Sequence, residues 1–268
     1  MAVTLVTGGA GGLGSDVVRA LLAHGRAPRI LTHRADAVAP DGAELARGDL
    51  RTGEGLEAAL RDAATIIHCA SDAREPDFAT EIEGARRLTR LAKAAGAVHL
   101  VYVSIVGVDR GDYPYYAAKR QAERIIEAGE TPWTILRATQ FHGLVYGLLR
   151  SWDDGSARLT VPSGMRFQSV ARHEVAARLI ALAEATPSGY ALPMRGPETL
   201  TIGEMAQAYL AALGRAASVE TAPAEGAPSS PFRTGVNLVP EDTPATRGRE
   251  TWAGFLRGKA SDQRPGAV

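Results

Sequence analysis

The sequence predicts an α/β fold, a doubly wound parallel sheet with a small C-terminal lobe. Three observations predict it. Short apolar runs alternate with stretches of helical periodicity through the N-terminal half, the pattern of βαβ units whose sheet is buried on both faces. A glycine-rich turn, Gly8 to Gly14, joins the first apolar run to the first amphipathic stretch. The 268 residues, 45% hydrophobic and 22% charged, are enough to bury such a core without covalent staples.

Taken in order, Val3 to Thr7 reads as the first strand because its residues are mostly branched and a turn signal follows at once. Arg29 to Thr32, Glu44 to Arg47, Thr65 to Cys69, Leu100 to Ser104 and Trp133 to Arg137 read as the next five. Between them, Ser15 to His24, Gly53 to Ala63, Phe78 to Ala95 and Ala117 to Ala128 carry apolar residues at helical spacing. A helix from Glu174 to Ala185 precedes a seventh strand around Tyr190 to Met194, and Thr201 to Leu213 is a further helix. Ala222 to Pro231 reads as a Pro/Ala/Ser-rich loop, and Gly258 to Val268 as a disordered tail. The expected organisation is one domain over residues 1–257. Residues 1–142 are mainly a cofactor-binding core, and 143–257 mainly a substrate lobe with returning core elements; no internal repeat is present.

Thirty basic residues balance thirty acidic ones, so no bulk field collects nucleic acid or an anionic membrane surface. A small-molecule partner is expected, and the oligomeric state stays open. Cys69 is the single cysteine, which excludes an intramolecular disulfide framework. The opening MAVTLVTGG has neither a basic n-region nor a long apolar stretch, so no signal peptide and a cytoplasmic location are expected. His173 and Glu174 read as a helix start, and no metal-ligand cluster is expected.

Gly8, Gly11 and Gly14 recur at three-residue intervals between strand and helix. Missing side chains there permit a tight turn, close approach to a pyrophosphate and close helix-to-strand packing. With Gly12 and Leu13, the helix start offers unpaired N–H groups and partial positive charge to an anion. The fold expected is therefore of Rossmann type. A carboxylate at the end of the second strand would bind the ribose hydroxyl of NAD, yet Thr32 stands there, followed by His33 and Arg34. A guanidinium suits a ribose 2′-phosphate, so NADPH is the expected cofactor. Asp49, beside Leu50, is a candidate acceptor for the adenine amino group or else a turn residue. Cys69, Ala70 and Ser71 end the fourth strand as a small-residue wall against the cofactor, with Cys69 read as a small apolar residue rather than a nucleophile.

The glycine loop, Gly48-Asp49-Leu50, Val101-Tyr102-Val103-Ser104 and Pro114-Tyr115-Tyr116-Ala117-Ala118-Lys119 together resemble the extended and atypical short-chain dehydrogenases/reductases. The likeness is closest to the NmrA-like, NAD(P)-binding branch. Trp133 to Phe141, Val170 to Ala176 and Thr251 to Leu256 strengthen it, so that it spans Val3 to about Leu256. That branch holds oxidoreductases, epimerases and proteins that bind the nucleotide without turnover.

Tyr115 and Lys119 are four residues apart, on one face of a helix. Hydride transfer to a carbonyl creates an alkoxide that needs a proton, and a nearby ammonium lowers a phenol's pKa. The resemblance implies that Tyr115 is the proton donor and that Lys119 tunes it and binds the nicotinamide ribose. Two positions depart from the family pattern. Ile105 and Val106 stand where a catalytic Ser or Thr is usual, leaving Ser104 either to bond a substrate oxygen or to line the nicotinamide pocket. The asparagine often found on the family's fourth helix is also absent, with Glu81-Ile82-Glu83-Gly84 where it would be expected. Phe141 and His142, after the sixth strand, are candidates for packing on the nicotinamide and for bonding the substrate or moving a proton; a structural role for His142 is the alternative. The expected activity is NADPH-dependent reduction of a carbonyl, enone or quinone, with the C-terminal segment as a lid. The alternatives are an NADP(H)-sensing regulator and a sugar-nucleotide epimerase.

Overall fold

The computed structural model describes residues 3–111, 113–223 and 231–262. In chain order these form β1 (Val3–Thr7), α1 (Gly12–Ala23), β2 (Pro28–Thr32), β3 (Glu44–Arg47), α2 (Leu56–Leu60), β4 (Ala63–His68), α3 (Ala79–Ala94), β5 (His99–Ile105), α4 (Pro114–Glu127), β6 (Trp133–Ala138) and α5 (His142–Trp152). Then come β7 (Arg158–Pro162), β8 (Arg166–Phe167), α6 (Arg172–Glu184), β9 (Gly189–Tyr190), β10 (Met194–Arg195), β11 (Leu200–Thr201), α7 (Ile202–Ala212), β12 (Ser218–Ala222), α8 (Pro231–Thr234), β13 (Thr246–Arg247) and α9 (Trp252–Asp262). The chain divides into two compact units.

The first unit, residues 1–104, 114–137 and 172–192, is of Rossmann type. Its parallel strands run β3-β2-β1-β4-β5-β6, with β9 pairing the far side of β6. The core between this sheet and its helices gathers Leu5, Leu56, Leu60, Ile66, Leu88, Leu100 and Ile135, all essentially without solvent exposure. On the other face, α6 packs on α1. The register aligns Thr7 with His68, and His68 with Tyr102, so three side chains stand in one row across β1, β4 and β5. Thr7 Oγ1 lies 2.7 Å from His68 Nδ1, and the His68 and Tyr102 rings stack at 5.0 Å.

The second unit, residues 105–113, 138–171 and 193–268, packs around Leu149, Phe167, Met205 and Trp252. Here β7 pairs β12 in parallel, β8 pairs β11 antiparallel, and β10 lies between Ala138 and β13. The α7 start is a capping box: Thr201 accepts from the Glu204 N–H while the Glu204 carboxylate accepts from the Thr201 N–H.

Several sequence boundaries need correction. The first helix starts at Gly12, three residues before the expected Ser15, and α4 starts at Pro114 rather than Ala117. Proline at the first helical position loses no hydrogen bond, since that N–H has no helical partner. The stretch expected as a helix from Gly53 to Ala63 is helical only over Leu56–Leu60, because Gly53, Gly55 and Asp62 hold positive φ. The seventh strand is two short ones, Gly189–Tyr190 and Met194–Arg195, separated by residues that include Pro193, which cannot donate to a ladder. The tail expected from Gly258 is helical as far as Asp262, and residues 263–268 lie outside the described residues. Of the loop expected from Ala222 to Pro231, residues 224–230 also lie outside them.

Candidate active site

The glycine loop follows from a backbone that leaves no room for side chains at Gly8 and Gly14. Gly8 has φ +66, and a Cβ there would meet the Ala70 backbone at 2.7 Å. A Cβ on Gly14 would collide with the Gly8 carbonyl oxygen. The turn is closed by the Gly11 N–H donating to the Gly8 carbonyl at 2.8 Å, after which Gly11 serves as N-cap of α1 in extended conformation. No side chain caps this helix, so the N–H groups of Gly12, Leu13 and Gly14 form an anion-ready terminus.

A cavity of about 280 Å³ opens beside the loop, lined by Gly8, Gly11, Thr32, His33, Arg34, Asp49, Leu50, Ala70 and Ser71 among others. Eight of the expected cofactor residues thus share one cleft within the first unit. Arg34 also borders a neighbouring cavity of about 460 Å³, where it meets Asp36 at 3.2 Å; both side chains are exposed. That guanidinium, through its hydrogen bond and charge, holds the Asp36 carboxyl below the usual carboxylate range. Asp49 caps its own turn, accepting from the Arg51 N–H at 2.7 Å. Cys69 does not line the cleft, and burial pushes its thiol up to about 12, which leaves it neutral and inert. Sequence reasoning missed Arg172: its guanidinium would lie 2.7 Å from a Cβ on Gly12 and pairs with the buried Asp16 at 3.1 Å, placing a cation at the loop. Only the tertiary packing of α6 on α1 reveals it.

Two of the three candidate catalytic residues, Tyr115 and Lys119, converge on one buried carboxylate. Glu81, in the first turn of α3 and fully buried, accepts from Ser71 Oγ at 2.5 Å and from the Tyr102 hydroxyl at 3.1 Å. The Lys119 ammonium lies 3.3 Å from the same carboxylate. Lys119 is itself buried, donates to the Val103 carbonyl at 2.9 Å and sits 4.4 Å over the Tyr102 ring. The Tyr115 hydroxyl bonds Ser71 Oγ and lies 3.4 Å from Glu81 Oε1. Its pKa is therefore raised, first by burial and next by the Glu81 charge. This is opposite to the lowering expected from a neighbouring ammonium, because burial and the Glu81 charge both disfavour the phenolate. Burial, and then the Lys119 charge, pull His68 down to about 3, so the ring is neutral. Ser104 is buried with no hydrogen-bond partner for its hydroxyl among the described residues.

In the second unit, Phe141 is the N-cap of α5 and bridges Val170. His142 is buried, with Nδ1 2.8 Å from Ser169 Oγ, Nε2 3.1 Å from the Glu250 carbonyl, and its ring against Trp252 and Phe255. Both ring nitrogens are thereby engaged within that unit's core.

The side-chain-free cradle, the uncapped helix start and the orphaned Ser104 hydroxyl fit a nicotinamide dinucleotide. Among the described residues, no group of three or more His, Cys, Asp or Glu could hold a metal ion, and no helix is long and apolar enough to cross a membrane.

Comparison with known proteins agrees with this geometry. Residues 8–186 match the family model described as NAD(P)H-binding. A Streptomyces griseus protein named (4-alkanoyl-5-oxo-2,5-dihydrofuran-3-yl)methyl phosphate reductase is 29% identical over 79% of this chain and 74% of its own. The NAD(P)H azoreductase of Xenophilus azovorans is 28% identical over the same shares. Among solved structures, a short-chain dehydrogenase/reductase superfamily protein from Agrobacterium tumefaciens with bound NAD superposes with TM-score 0.72 at 21% identity, covering 98% of each chain. The chain belongs to the NAD(P)H-binding family and, with the reductases among its relatives, is an NAD(P)-dependent oxidoreductase.

Proposed function

We propose that this protein is an NADPH-dependent reductase of a small molecule bearing a carbonyl, enone or quinone, with Tyr115 as proton donor. One observation carries the reading: Ser71 lines the same cleft as the glycine loop and hydrogen-bonds the Tyr115 hydroxyl. A phenol proton is thus one residue from the dinucleotide cradle. Burial and the Glu81 charge raise the Tyr115 pKa, so the phenol carries its proton before reduction, as a donor must. The name of the Streptomyces relative describes an acyl-bearing unsaturated lactone, a conjugated acceptor of the class proposed.

In this reading the N–H groups at Gly12 to Gly14 hold the pyrophosphate, and Arg172 adds positive charge beside them. Arg34 and His33 meet the 2′-phosphate, while Asp49 and Leu50 flank the adenine. Ser104 offers its hydroxyl to the nicotinamide end or to a substrate oxygen. When bound, the reduced nicotinamide supplies a hydride. Lys119 holds Glu81 and the Tyr102 ring in place, and Tyr115 delivers the proton.

The test is calorimetric titration with NADPH and NADH, then a screen of NADPH oxidation against enones, quinones and ketones, with wild type and Tyr115→Phe. Removing the phenol oxygen should lower turnover by about 10²- to 10⁴-fold while NADPH affinity is kept. An unchanged rate removes Tyr115 from the mechanism. Tight NADPH binding without turnover on any acceptor favours the sensor reading.

A further inference from the structure

We propose that Phe78 is a specificity-determining residue whose ring, beside Tyr115, forms an aromatic wall that selects a flat ring bearing a conjugated carbonyl as substrate. The inference rests on Tyr115 as proton donor and narrows the substrate class of that reading.

Position 78 breaks two local rules at once. Phe78 is the N-cap of α3, a place that favours a side-chain oxygen, and its φ of +49 and ψ of +34 put it in the left-handed region. Among the described residues the other non-glycine with positive φ is Asp62, and an aspartate tolerates that conformation where a phenylalanine is strained. Neighbouring acids cap the helix instead. The Ala79 N–H donates to the Asp77 carboxylate at 3.2 Å and the Thr80 N–H to the Glu75 carboxylate at 2.8 Å. Arg51 in turn lies 3.3 Å from each of those acids. The segment therefore holds the Phe78 backbone in place without using its side chain. Strain fixed in this way by its surroundings gathers at active sites and ligand clamps, which leaves the ring to be explained by what it faces.

It faces the phenol. The Phe78 and Tyr115 ring centroids are 5.9 Å apart and the rings are tilted by 46°, within the range of favourable aromatic pairs. Both residues are partly exposed, and Ser71, whose hydroxyl bonds the Tyr115 hydroxyl, is exposed. The accessible surface here thus has a polar end, at the Tyr115 and Ser71 hydroxyls, and an aromatic part, at Phe78. That is the make-up of a small-molecule site, mostly apolar with a few polar groups that fix orientation. A flat ring with a conjugated carbonyl engages both parts, its oxygen on the phenol and its π-face or edge on Phe78. An open-chain ketone reaches the phenol and has no ring to offer the wall.

The experiment is calorimetric titration of duroquinone, a flat quinone whose methylated ring carbons resist thiol addition, into NADP-saturated wild type, Phe78→Leu and Phe78→Tyr. NADPH oxidation by duroquinone and by butanone is the second readout. Leucine keeps apolar bulk and has no ring, so duroquinone affinity and its KM should weaken about fivefold or more, while the butanone KM and NADPH affinity change less than about twofold. Phe78→Tyr, which keeps the ring, should bind duroquinone within about twofold of wild type. A loss of kcat shared equally by both acceptors means that Phe78 only steadies Tyr115, and overturns the inference. So does a wild type that does not bind duroquinone, or binds it no better than Phe78→Leu. Phe78→Gly and Phe78→Ala both lack the ring, so comparing them reads the backbone alone. The glycine variant should have a folded-to-unfolded ratio about two- to fivefold higher, and the reverse order overturns the strained geometry. If Phe78→Leu fails to fold, Phe78→Gly replaces it in the titration, and the titration decides where neither acceptor turns over. Full turnover by Tyr115→Phe beside ring-dependent duroquinone binding removes the donor assignment and leaves the wall. Tyr115-dependent turnover of butanone beside duroquinone binding that ignores Phe78 removes the wall alone.

Discussion

Acidification should cost this protein stability through His68, a residue at the centre of the Thr7–His68–Tyr102 row. The ring is fully buried, bonded through Nδ1 to Thr7, and leaves Nε2 without a partner among the described residues. Its pKa falls from 6.5 to about 3, by burial first and the Lys119 charge second. Above pH 6.5 neither folded nor unfolded chain binds a proton there. Between 6.5 and 3 only the unfolded chain does, so this contribution is full above 6.5 and is lost as pH falls toward 3. At about 1.36 kcal/mol per pH unit, moving from pH 7.5 to pH 5 removes about 2 kcal/mol. Urea unfolding of wild type and His68→Asn at both pH values measures it. Asparagine keeps a polar atom near Thr7 and cannot titrate; its packing loss is the same at both pH values and cancels in the difference. The wild-type drop should exceed the variant's by about 2 kcal/mol. Equal drops, or an NMR titration of His68 near 6.5, would refute the reasoning.

Three further outcomes are expected. Gly14→Ala should lose about 1–3 kcal/mol of stability and bind NADPH more weakly, because its Cβ meets only backbone, including Gly9 Cα at 2.9 Å; unchanged melting and titration curves would count against the loop geometry. Arg34→Ala should weaken NADPH about tenfold or more and leave NADH alone, while Asp36→Ala, by releasing Arg34, should tighten NADPH about two- to fivefold; calorimetry with both nucleotides tests each, and equal effects on the two would remove Arg34 from 2′-phosphate recognition. Cys69, its thiol raised by burial from 9.0 to about 12, should react with a thiol reagent at pH 8 about a thousandfold more slowly than a free cysteine, and rapid labelling would contradict that environment.

Much of the fold was legible because its signals are local. Val3–Thr7 and Glu44–Arg47 end where the apolar runs and turn residues say they should, and the glycine spacing describes a loop whose tightness is a property of adjacent residues. The short strands β7, β8 and β11 to β13 were not legible. They pair because the second unit's core brings segments distant in sequence together, Arg158–Pro162 with Ser218–Ala222 and Arg166–Phe167 with Leu200–Thr201.

By itself the sequence determined the fold class, the tight glycine loop, the absent acid at the end of β2 and the Tyr115–Lys119 spacing, since each is set by residues within one turn or one strand of each other. Which groups those residues face was decided by the tertiary structure alone. Only packing of α3 and α4 over β4 and β5 brings Ser71, Glu81, Tyr102, Tyr115 and Lys119 within hydrogen-bonding reach across 49 positions of sequence. Burial then reverses the electrostatic expectation. Burial and the Glu81 charge both disfavour the phenolate, and the tyrosine that the spacing presents as acidified is held protonated instead.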